Sequence, residues 1–480
     1  GAVAGQVNIN AAYDLTVRGS ARIDAQGTGS NVKGGSVYLG TTRGSIAFND
    51  GAVIDVTGTR KDNIQVQELV LDLAGQPIQK LDDQGNPVFD PAALDAYGNP
   101  LPIYQTQTVT RTDTGLVQFR APRARIALVQ DNNGDNQQAV GADGKPVYLI
   151  TDAQGNTLNG SDGLIDPGAN DTVAISDFAG TVKGAGSTVI EAYQAYQPAG
   201  GHLSGSTGAA DTSNPYYQDA ALFMQNEQNI MTQLGVVDAA TVHLRPGIEL
   251  QSPGQRSLDS PLDLSQWRFG ADGQPGVLTL RAAGNVSIAN GISDGITRKI
   301  DAITGAPIDA LRQDDSWSLR AVAGADLASA EPLAVTSGAG NLTIGNDVRV
   351  RTGTGDIDMA AGGNLVMANP QSTIYTTGID GGPGTFDPLF AAYYLDGQYP
   401  LGGGNVRINV GGDISTQASG QLINDWLPRL GGVGDLGNLP TTWAIDLGNF
   451  QQGIGALGGG NVNVAAGGNI NDLSVVMPTV

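Results

Sequence analysis

Paired acidic residues are the feature of this sequence whose type and spacing come closest to a catalytic site. Enzymes that cleave glycosidic bonds use two carboxyl groups on one face of a site. Three pairs are candidates: Asp82–Asp83, Asp314–Asp315 and Asp356/Asp358. Consecutive residues of a strand point to opposite faces, so only Asp356 and Asp358 can share one. Because the chain holds 47 acidic residues, we expect a solvated acidic face there rather than catalysis.

Other side chains that carry enzyme chemistry are scarce. The sequence has no Cys and two His, of which His202 lies in a Gly/Ser-rich stretch and His243 in the strand-like TVHLRPG. We expect structural roles for both, since no HExxH, GxSxG, P-loop or Rossmann pattern accompanies them. GGVGDLG from Gly431 looks like a calcium-binding glycine repeat but does not recur. We therefore predict a protein that is not an enzyme, with no catalytic residue, no cofactor and no bound metal.

Composition narrows the class of protein and of partner. The 480 residues include 70 Gly, 25 Lys or Arg and 47 Asp or Glu, for a net charge of −22. This acidity makes nucleic acid and anionic membrane surfaces electrostatically unfavourable partners. No apolar run approaches the roughly 18 residues that span a membrane, so we predict no membrane insertion. Abundant Gly with 40% hydrophobic residues favours many short strands joined by tight turns.

An internal repeat organises the elements that must position these residues. A polar residue, alternating apolar positions and a Gly turn recur in five segments. They are GQVNINAAYDLTV from Gly5, PGVLTLRAAGNVSI from Pro275, GDIDMAAGGNLVM from Gly355, GGNVRINVGGDIS from Gly403 and GGNVNVAAGGNIN from Gly459. In four of these segments a polar or acidic residue returns after eight positions, as in Asp356 and Asn364. A third strand often follows, as in ARIDAQG from Ala21.

The alternation predicts stacked coils of two or three short strands each. Val406, Ile408 and Val410 should face inward, and Asn405 and Arg407 outward or into a turn. One coil cannot bury its apolar face alone, so coils of about 20 residues should stack with parallel pairing. We therefore predict an all-β fold, a parallel β-helix or β-solenoid, with hairpin or loop insertions outside the solenoid and one short helix.

Gly-Asn and Gly-Asp pairs should form the corners of the coils. Gly adopts positive φ freely, and Asn or Asp tolerates the same region while hydrogen-bonding nearby amides. Stacked in register, these side chains should form ladders along the solenoid axis. The same pairs also occur in hairpin turns of β-sandwiches, but the eight-residue recurrence favours the solenoid.

Segments that break the repeat define the predicted domain organisation. Residues 1–58 are expected to form rungs, 59–113 hairpin insertions, 114–202 rungs with a hairpin insertion at about 131–160, and 203–240 a helical insertion. Rungs return over 241–420, a Gly/Trp-containing loop insertion occupies 421–457, and 458–480 is a rung beyond which the chain is expected to continue. The helix should begin at Pro215 and stop at Gly235, with an apolar face packed on the solenoid.

Aromatic residues in the insertions are the predicted partner contacts. Trp426 and Trp443 lie among Gly and Pro, and Tyr393 and Tyr394 lie in another insertion-like stretch. Exposed rings at these four positions could stack on sugars, whereas the alternative is that they anchor their loops.

Several phrases in one order resemble the filamentous haemagglutinin family of large exoproteins, the adhesins exported by two-partner secretion. They are TGLVQFRAPRARIAL from Thr114, FAGTVKGAGSTVIEAYQAYQ from Phe178, TVHLRPGIELQSPG from Thr241, LDLSQWRFGADGQPGVLTLRAAGNVSI from Leu262, DSWSLRAVAGADL from Asp315, the two GGGN rungs and GGNINDLSVVMPTV. The resemblance spans about Thr114 to the end. It implies a right-handed β-helix at the bacterial outer surface, passed through an outer-membrane transporter. The Asn-Pro-rich motifs of the family's secretion domain are missing, so this segment resembles the shaft.

The sequence thus leaves three functional hypotheses. The first is a structural shaft of a secreted or cell-surface adhesin that mediates adhesion, aggregation or matrix contact, with a host or bacterial surface glycan or protein as partner and possible self-association. The second is a glycan-binding module that uses the projecting aromatic loops. The third is a β-helical polysaccharide lyase or hydrolase, which would require clustered Asp, Lys or Arg along one groove.

Overall fold

The computed structural model describes most of the chain. The described residues are 2–28, 32–62, 82–94, 100–102, 109–128, 148–151, 172–198, 202–203, 214–236, 241–300, 307–380, 397–398, 400–427, 429–434, 437–443 and 445–478.

Ten strands of the described chain pair in parallel, in chain order, to form sheet A. They are Gln6–Ala11, Ser36–Thr41, Gly115–Leu128, Ala185–Tyr196, Val242–Ser252, Val277–Ala282, Ser318–Ala323, Ile357–Ala361, Val406–Val410 and Val462–Ala466. Two further strands, Tyr148–Thr151 and Thr172–Val173, pair antiparallel with Gly115–Leu128.

Two more parallel sheets run beside sheet A, each in two pieces. Sheet B contains Leu15–Val17, Ile46–Phe48 and Ile175–Phe178, then His202–Leu203, Arg256–Leu258, Val286–Ile288, Leu342–Ile344, Leu365–Met367, Ile414–Ser415 and Ile470–Asn471. Sheet C contains Arg22–Asp24, Val53–Asp55 and Thr181–Lys183, then Leu262–Asp263, Ile292–Ser293, Arg349–Thr352, Thr373–Thr376, Ile454–Ala456 and Val475–Val476.

The chain passes from sheet A to B to C and back to A, and each turn of this path is one coil. Between Ala185–Tyr196 and Val242–Ser252 the described chain has the sheet B strand His202–Leu203 and two helices, without a sheet C strand. The fold is therefore mostly β and solenoid-like, with its parallel sheets curled as a half-barrel. In the first uninterrupted coil, Gln6 aligns with Ser36, 30 positions later. On sheet B, Leu342 aligns with Leu365, 23 positions later, which is closer to the expected coil of about 20 residues.

The core lies between the three sheets and follows the predicted alternation. Val406, Ile408 and Val410 are no more than 2% exposed, whereas Arg407 between them lies on the outer face. A strand side chain that points inward packs against the other two sheets, which buries it without any further domain.

Asn and Asp side chains form the predicted ladder at the corner between sheets A and B. The Oδ1 atom of Asn341 accepts a hydrogen bond of 2.8 Å from the backbone N–H of Asn364. Asn364 Oδ1 accepts one of 2.8 Å from Asp413 N–H, and Asp413 Oδ1 one of 2.6 Å from Asn469 N–H. The eight-residue recurrence marks the two ends of one sheet A strand, since Asp356 and Asn364 flank Ile357–Ala361.

Replacing Asn364 tests the contribution of this ladder. We expect Asn364→Ala to lower the free energy of unfolding by about 1–2 kcal/mol, because it leaves the Asp413 N–H without its acceptor. Asn364→Asp keeps an oxygen at the same place, as Asp413 does one coil later, and should cost less than half as much. Urea unfolding followed by circular dichroism measures both, and equal losses would contradict the role of the side-chain oxygen.

Further antiparallel strand pairs lie in the segments between the coils. The pairs are Gly58–Asp62 with Val109–Asp113, Phe89–Leu94 with Pro100–Pro102, Ile296–Ile300 with Pro307–Leu311, Ile379–Asp380 with Pro400–Leu401, Gly397–Gln398 with Ile445–Asp446, and Arg429–Gly434 with Gly437–Trp443. Short strands Ala2–Val3 and Val32–Lys33 pair beside Gly58–Asp62, and a 3-10 helix spans Ile423–Asp425.

The positions of these hairpins differ from the predicted boundaries in two places. The stretch 241–420 holds two antiparallel pairs, Ile296–Ile300 with Pro307–Leu311 and Ile379–Asp380 with Pro400–Leu401, which its apolar spacing did not reveal. The stretch 421–457 includes Ile454–Ala456, which is a strand of sheet C rather than part of a loop. These two pairs, and Gly58–Asp62 with Val109–Asp113, interrupt the coils at the same corner, between sheets C and A.

The described helical insertion contains two helices, α1 (Pro215–Met224) and α2 (Glu227–Gln233), where one was predicted. The helix is interrupted after Met224, so the expected apolar face is altered. Phe223, Met224 and Ile230 are buried, whereas Leu222 is 61% exposed. Asn214 caps α1 by accepting hydrogen bonds from two backbone amides of its first turn. The predicted end of the helical segment at Gly235 is confirmed, since α2 ends at Gln233.

The stop after α2 follows from backbone geometry. Gly235 has a φ of +70°, a region that Gly adopts without a steric penalty. In the aromatic cluster beside the helices, Tyr217 lies 5.5 Å from Trp267 and 5.5 Å from Phe269 between ring centroids. Trp317 continues the same cluster from sheet A's side, so the insertion packs on the solenoid.

Glu227 makes the docking of α2 dependent on pH. Burial, and after it repulsion from Asp272, raise the pKa of the Glu227 carboxyl to about 7. A pKa raised above its unfolded value favours the folded state fully below pH 4.5 and loses that contribution as the pH rises through 7. We expect a loss of about 1–2 kcal/mol, smaller than the full linkage value because the carboxyl is half-exposed.

Glu227→Gln should remove this component of the pH dependence and be more stable than the parent at pH 8. Urea unfolding at pH 4.5, 6 and 8 measures the difference between the two proteins. Asp24→Asn, at an exposed carboxylate on sheet C, serves as the control and should leave the profile as it is. Parallel profiles for the parent and Glu227→Gln would refute the assignment.

Candidate functional site

Charged side chains fill the outer, concave face of the curled sheet A. Alternation directs every second residue of these strands away from the core, and Arg120, Glu191, Glu249, Arg281 and Arg320 occupy such positions. All five are 5% exposed or less, because the curl of the sheet brings distant strands over one another. Sequence spacing gave no signal of this, since an outward position ordinarily faces solvent.

These residues form one buried ion network, the arginine–glutamate cluster. Arg120 Nε lies 3.0 Å and Arg320 Nη1 2.9 Å from Glu191 Oε1. Arg281 Nη1 lies 3.0 Å from Glu249 Oε1, and Arg120 also donates to Glu249. The Arg120 guanidinium stacks over the Tyr193 ring at 3.6 Å from its centroid, an attractive cation–π contact.

The pairing decides the charge state of the cluster. Burial by itself raises the pKa of Glu191, but Arg320 and Arg120 outweigh it, so the net pKa lies below the usual value. The pKa of Glu249 is likewise lowered, by Arg120 and Arg281 acting against burial. Both carboxylates are therefore charged at neutral pH and held as ion-pair partners rather than as proton donors.

A second group of charges continues the same face, and it corrects the expectation for Asp356 and Asp358. Arg407 Nη1 lies 2.9 Å from Asp356 Oδ2 and 2.9 Å from Asp358 Oδ1. Asp358 is 8% exposed, so the expected solvated acidic face is wrong. Burial, together with repulsion from Asp356, raises the pKa of Asp358 against the attraction of Arg407. The two carboxyls do share a face, as the alternation indicated.

The other two acidic pairs, Asp314–Asp315 and Asp82–Asp83, are not part of this group of charges. Asp315 Oδ2 accepts a hydrogen bond of 2.6 Å from Arg245 Nη2. Asp314 accepts from Arg312 and Arg268 at 2.6 to 3.0 Å. Asp82 organises a turn by accepting from the backbone amides of Gln84 and Asn86.

Of the four predicted glycan contacts, the described residues include the side chain of Trp426 alone. Trp426 is 1% exposed and packs edge-on against Phe450 at 4.9 Å between centroids, so its ring anchors the loop and cannot stack on a sugar. Trp443 ends the strand Gly437–Trp443, and its side chain lies outside the described residues. Tyr393 and Tyr394 also lie outside the described residues. The sugar contact expected at Trp426 is therefore wrong.

The two histidines lie in strands. His202 belongs to sheet B and His243 to sheet A. Burial, and after it Arg245, lower the pKa of His243, whose Nδ1 lies 3.5 Å from Gln274 Nε2. Within the described ranges, no group of three or more His, Cys, Asp or Glu is arranged to hold a metal ion. No helix among the described residues is long and apolar enough to cross a membrane.

No protein-family model, curated protein or solved structure matches this chain.

Glu191→Gln tests whether the arginine–glutamate cluster stabilises the fold. Removing this charge leaves Arg120 and Arg320 buried with too little compensation, so we expect a loss of about 3–5 kcal/mol of unfolding free energy. Asp24→Asn breaks an exposed pair with Arg22 and should cost less than about 1 kcal/mol. Urea midpoints compare the two variants, and equal shifts would show that the buried pairs contribute no more than a surface pair.

Proposed function

We propose that this chain is a structural shaft segment of a secreted or cell-surface adhesin related to the filamentous haemagglutinin exoproteins. The observation that carries the proposal is a continuous stack of sheet A strands in which three antiparallel strand pairs mark insertions at one corner, which we take to project from the stack. Stacked coils hold such projections at fixed spacing along an axis, which suits adhesion, aggregation or matrix contact. Its partner would be a host or bacterial surface glycan or protein, and copies of the chain can self-associate.

The phrases that resemble the exoprotein family support this proposal by their placement. TGLVQFRAPRARIAL, STVIEAYQAY and TVHLRPGIELQS coincide with the third, fourth and fifth strands of sheet A. Adjacent strands in one sheet must match in register and outward charge, so an ordered series of such phrases specifies a local structure.

We infer that the coils form a right-handed β-helix. A chain that leaves a strand and returns to a parallel strand of the same sheet does so with right-handed connections in about 98% of cases. Every return from sheet A to sheet A in the described coils is of this parallel kind.

Export through an outer-membrane partner pore to the bacterial surface belongs to the same proposal. Cysteine is absent, so no disulfide forms before the chain crosses the envelope. Repeating coils fold by adding one turn to the last, which suits a chain that emerges progressively from a pore.

A non-enzymatic role is part of the proposal. A general acid or base needs a carboxyl that is free to exchange a proton with its substrate. Glu191, Glu249 and the pair Asp356/Asp358 are instead engaged by arginines at 2.9 to 3.0 Å. Their arrangement serves the structure of the curled sheet.

Trimming the projections tests the adhesive function. Asp62 pairs directly with Val109, and Ile300 with Pro307, across antiparallel strands, so an Asn-Gly turn can replace 63–108 or 301–306. We expect beads coated with the intact chain to bind epithelial or bacterial cells, and the doubly trimmed variant to bind at least fivefold less. Each singly trimmed variant is the matched control for the other.

The trimmed proteins should keep the β-sheet circular dichroism and the unfolding midpoint of the parent, since the coils are untouched. The adhesive function proposed for the insertions would be contradicted if the doubly trimmed variant bound cells as well as the parent does. It would also be contradicted if the intact chain showed no adhesion or aggregation. Release of reducing ends from polysaccharides, lost in Asp358→Asn, would overturn the non-enzymatic role.

A further inference from the structure

The concave face of sheet A encloses a groove that the scaffold role does not use. Its inner part has a volume of about 300 Å³ and an adjoining part about 760 Å³. The two parts share lining residues from the first four strands of sheet A and from the ninth, together with Thr354 and Asp356 just before the eighth. Cavities of this size accommodate small ligands or several linked rings.

The groove is lined by hydrogen-bonding side chains, and its basic and acidic residues do not add up to a large net charge of either sign. The amide residues Gln6, Asn8 and Gln118 line it together with the hydroxyl-bearing residues Tyr38 and Ser187. Amides and hydroxyls both donate and accept, which suits a ligand whose own groups do the same.

Three buried polar atoms at this groove have no hydrogen-bond partner within the described part of the chain. They are Tyr38 Oη, Ser187 Oγ and Arg245 Nε. Arg245 is itself 8% exposed, with its Nη2 held by Asp315 at 2.6 Å, so its free Nε is fixed in direction. A buried polar atom without a partner is costly, and a ligand hydroxyl can satisfy it.

The arginines of the groove are already neutralised. Arg407 binds Asp356 and Asp358, and Arg320 binds Glu191. A carboxylate or phosphate on the ligand would therefore meet paired guanidinium groups and nearby acids, and it would be repelled or left unpaired. The charge arrangement favours a neutral ligand.

Apolar side chains alternate with these polar groups along the walls. Val189 and Val277 lie on the floor, and Pro332 and Leu333 lie on the segment that passes over sheet A. A ligand with apolar C–H faces and hydroxyl edges matches both kinds of surface, because the faces cover apolar carbon while the edges hydrogen-bond.

We propose that this groove binds a neutral oligosaccharide, with Tyr38, Ser187 and Arg245 donating or accepting hydrogen bonds to its hydroxyls. The site lies on the curled sheet, apart from the hairpins and from the aromatic positions. It goes beyond the proposed scaffold role and does not depend on it.

Titration of the full chain with defined sugars tests the proposal. The probes are neutral hexasaccharides of glucose, galactose, mannose or N-acetylglucosamine, with hexagalacturonate as the acidic comparison, followed by calorimetry and saturation-transfer NMR. We expect at least one neutral probe to bind with a Kd below about 1 mM, and hexagalacturonate to bind at least tenfold more weakly.

Tyr38→Phe and Ser187→Ala remove buried polar atoms without partners in the free protein, so both variants should fold and be at least as stable as the parent. Each should weaken binding at least fivefold. Tyr13→Phe alters a tyrosine that is 53% exposed and does not line the groove, and it should bind as the parent does.

Three outcomes would overturn the proposal: no neutral probe binding at 10 mM, preferential binding of hexagalacturonate, or equal affinity in the parent and both groove variants. Loss of adhesion on trimming the projections is a separate result, because the trimmed chains keep the groove. The two proposals therefore fail independently.

Discussion

Parallel backbone pairing along sheet A fixes how the coils stack, and the other features of the fold follow from it. It is continuous through ten strands of the described chain, whereas sheets B and C are each interrupted. The long strands Ala185–Tyr196 and Val242–Ser252 carry the pairing past the break, where the helices are inserted. Since each coil is fixed by its neighbours, a projection can leave one corner without disturbing the pairing.

The curl of this sheet has an electrostatic consequence. Outward side chains that would be solvated on a flat sheet are buried, so charged ones must be paired there. The arginine–glutamate cluster satisfies this requirement across several coils, with Arg320 and Glu191 separated by 129 positions in the chain. The attraction within a buried ion pair mainly compensates the cost of removing both charges from water, so the pair adds little net stability. Its strict geometry instead favours one strand register over the alternatives. The same curl creates the groove beside it.

Local pattern predicted some site features and missed others. Alternation placed Asp356 and Asp358 on one face, yet their partner Arg407 belongs to the next coil, beyond an insertion. Trp426 stands among Gly and Pro as an exposed loop residue would, but Phe450 and the solenoid bury it. Burial depends on contacts between distant segments, which residue spacing does not contain.

The repeating unit could be predicted from residue order alone: alternate apolar residues, Gly-Asn corners and a third short strand, because strand pleat and turn geometry act over a few residues. The same pattern indicated parallel stacking, since no coil can bury its apolar face alone. The curl of sheet A, the break between the helices and the pairing of Arg120 and Arg320 with Glu191 are visible only in the folded chain. Those features arise from the summed twist and offset of many strands, which no single repeat encodes.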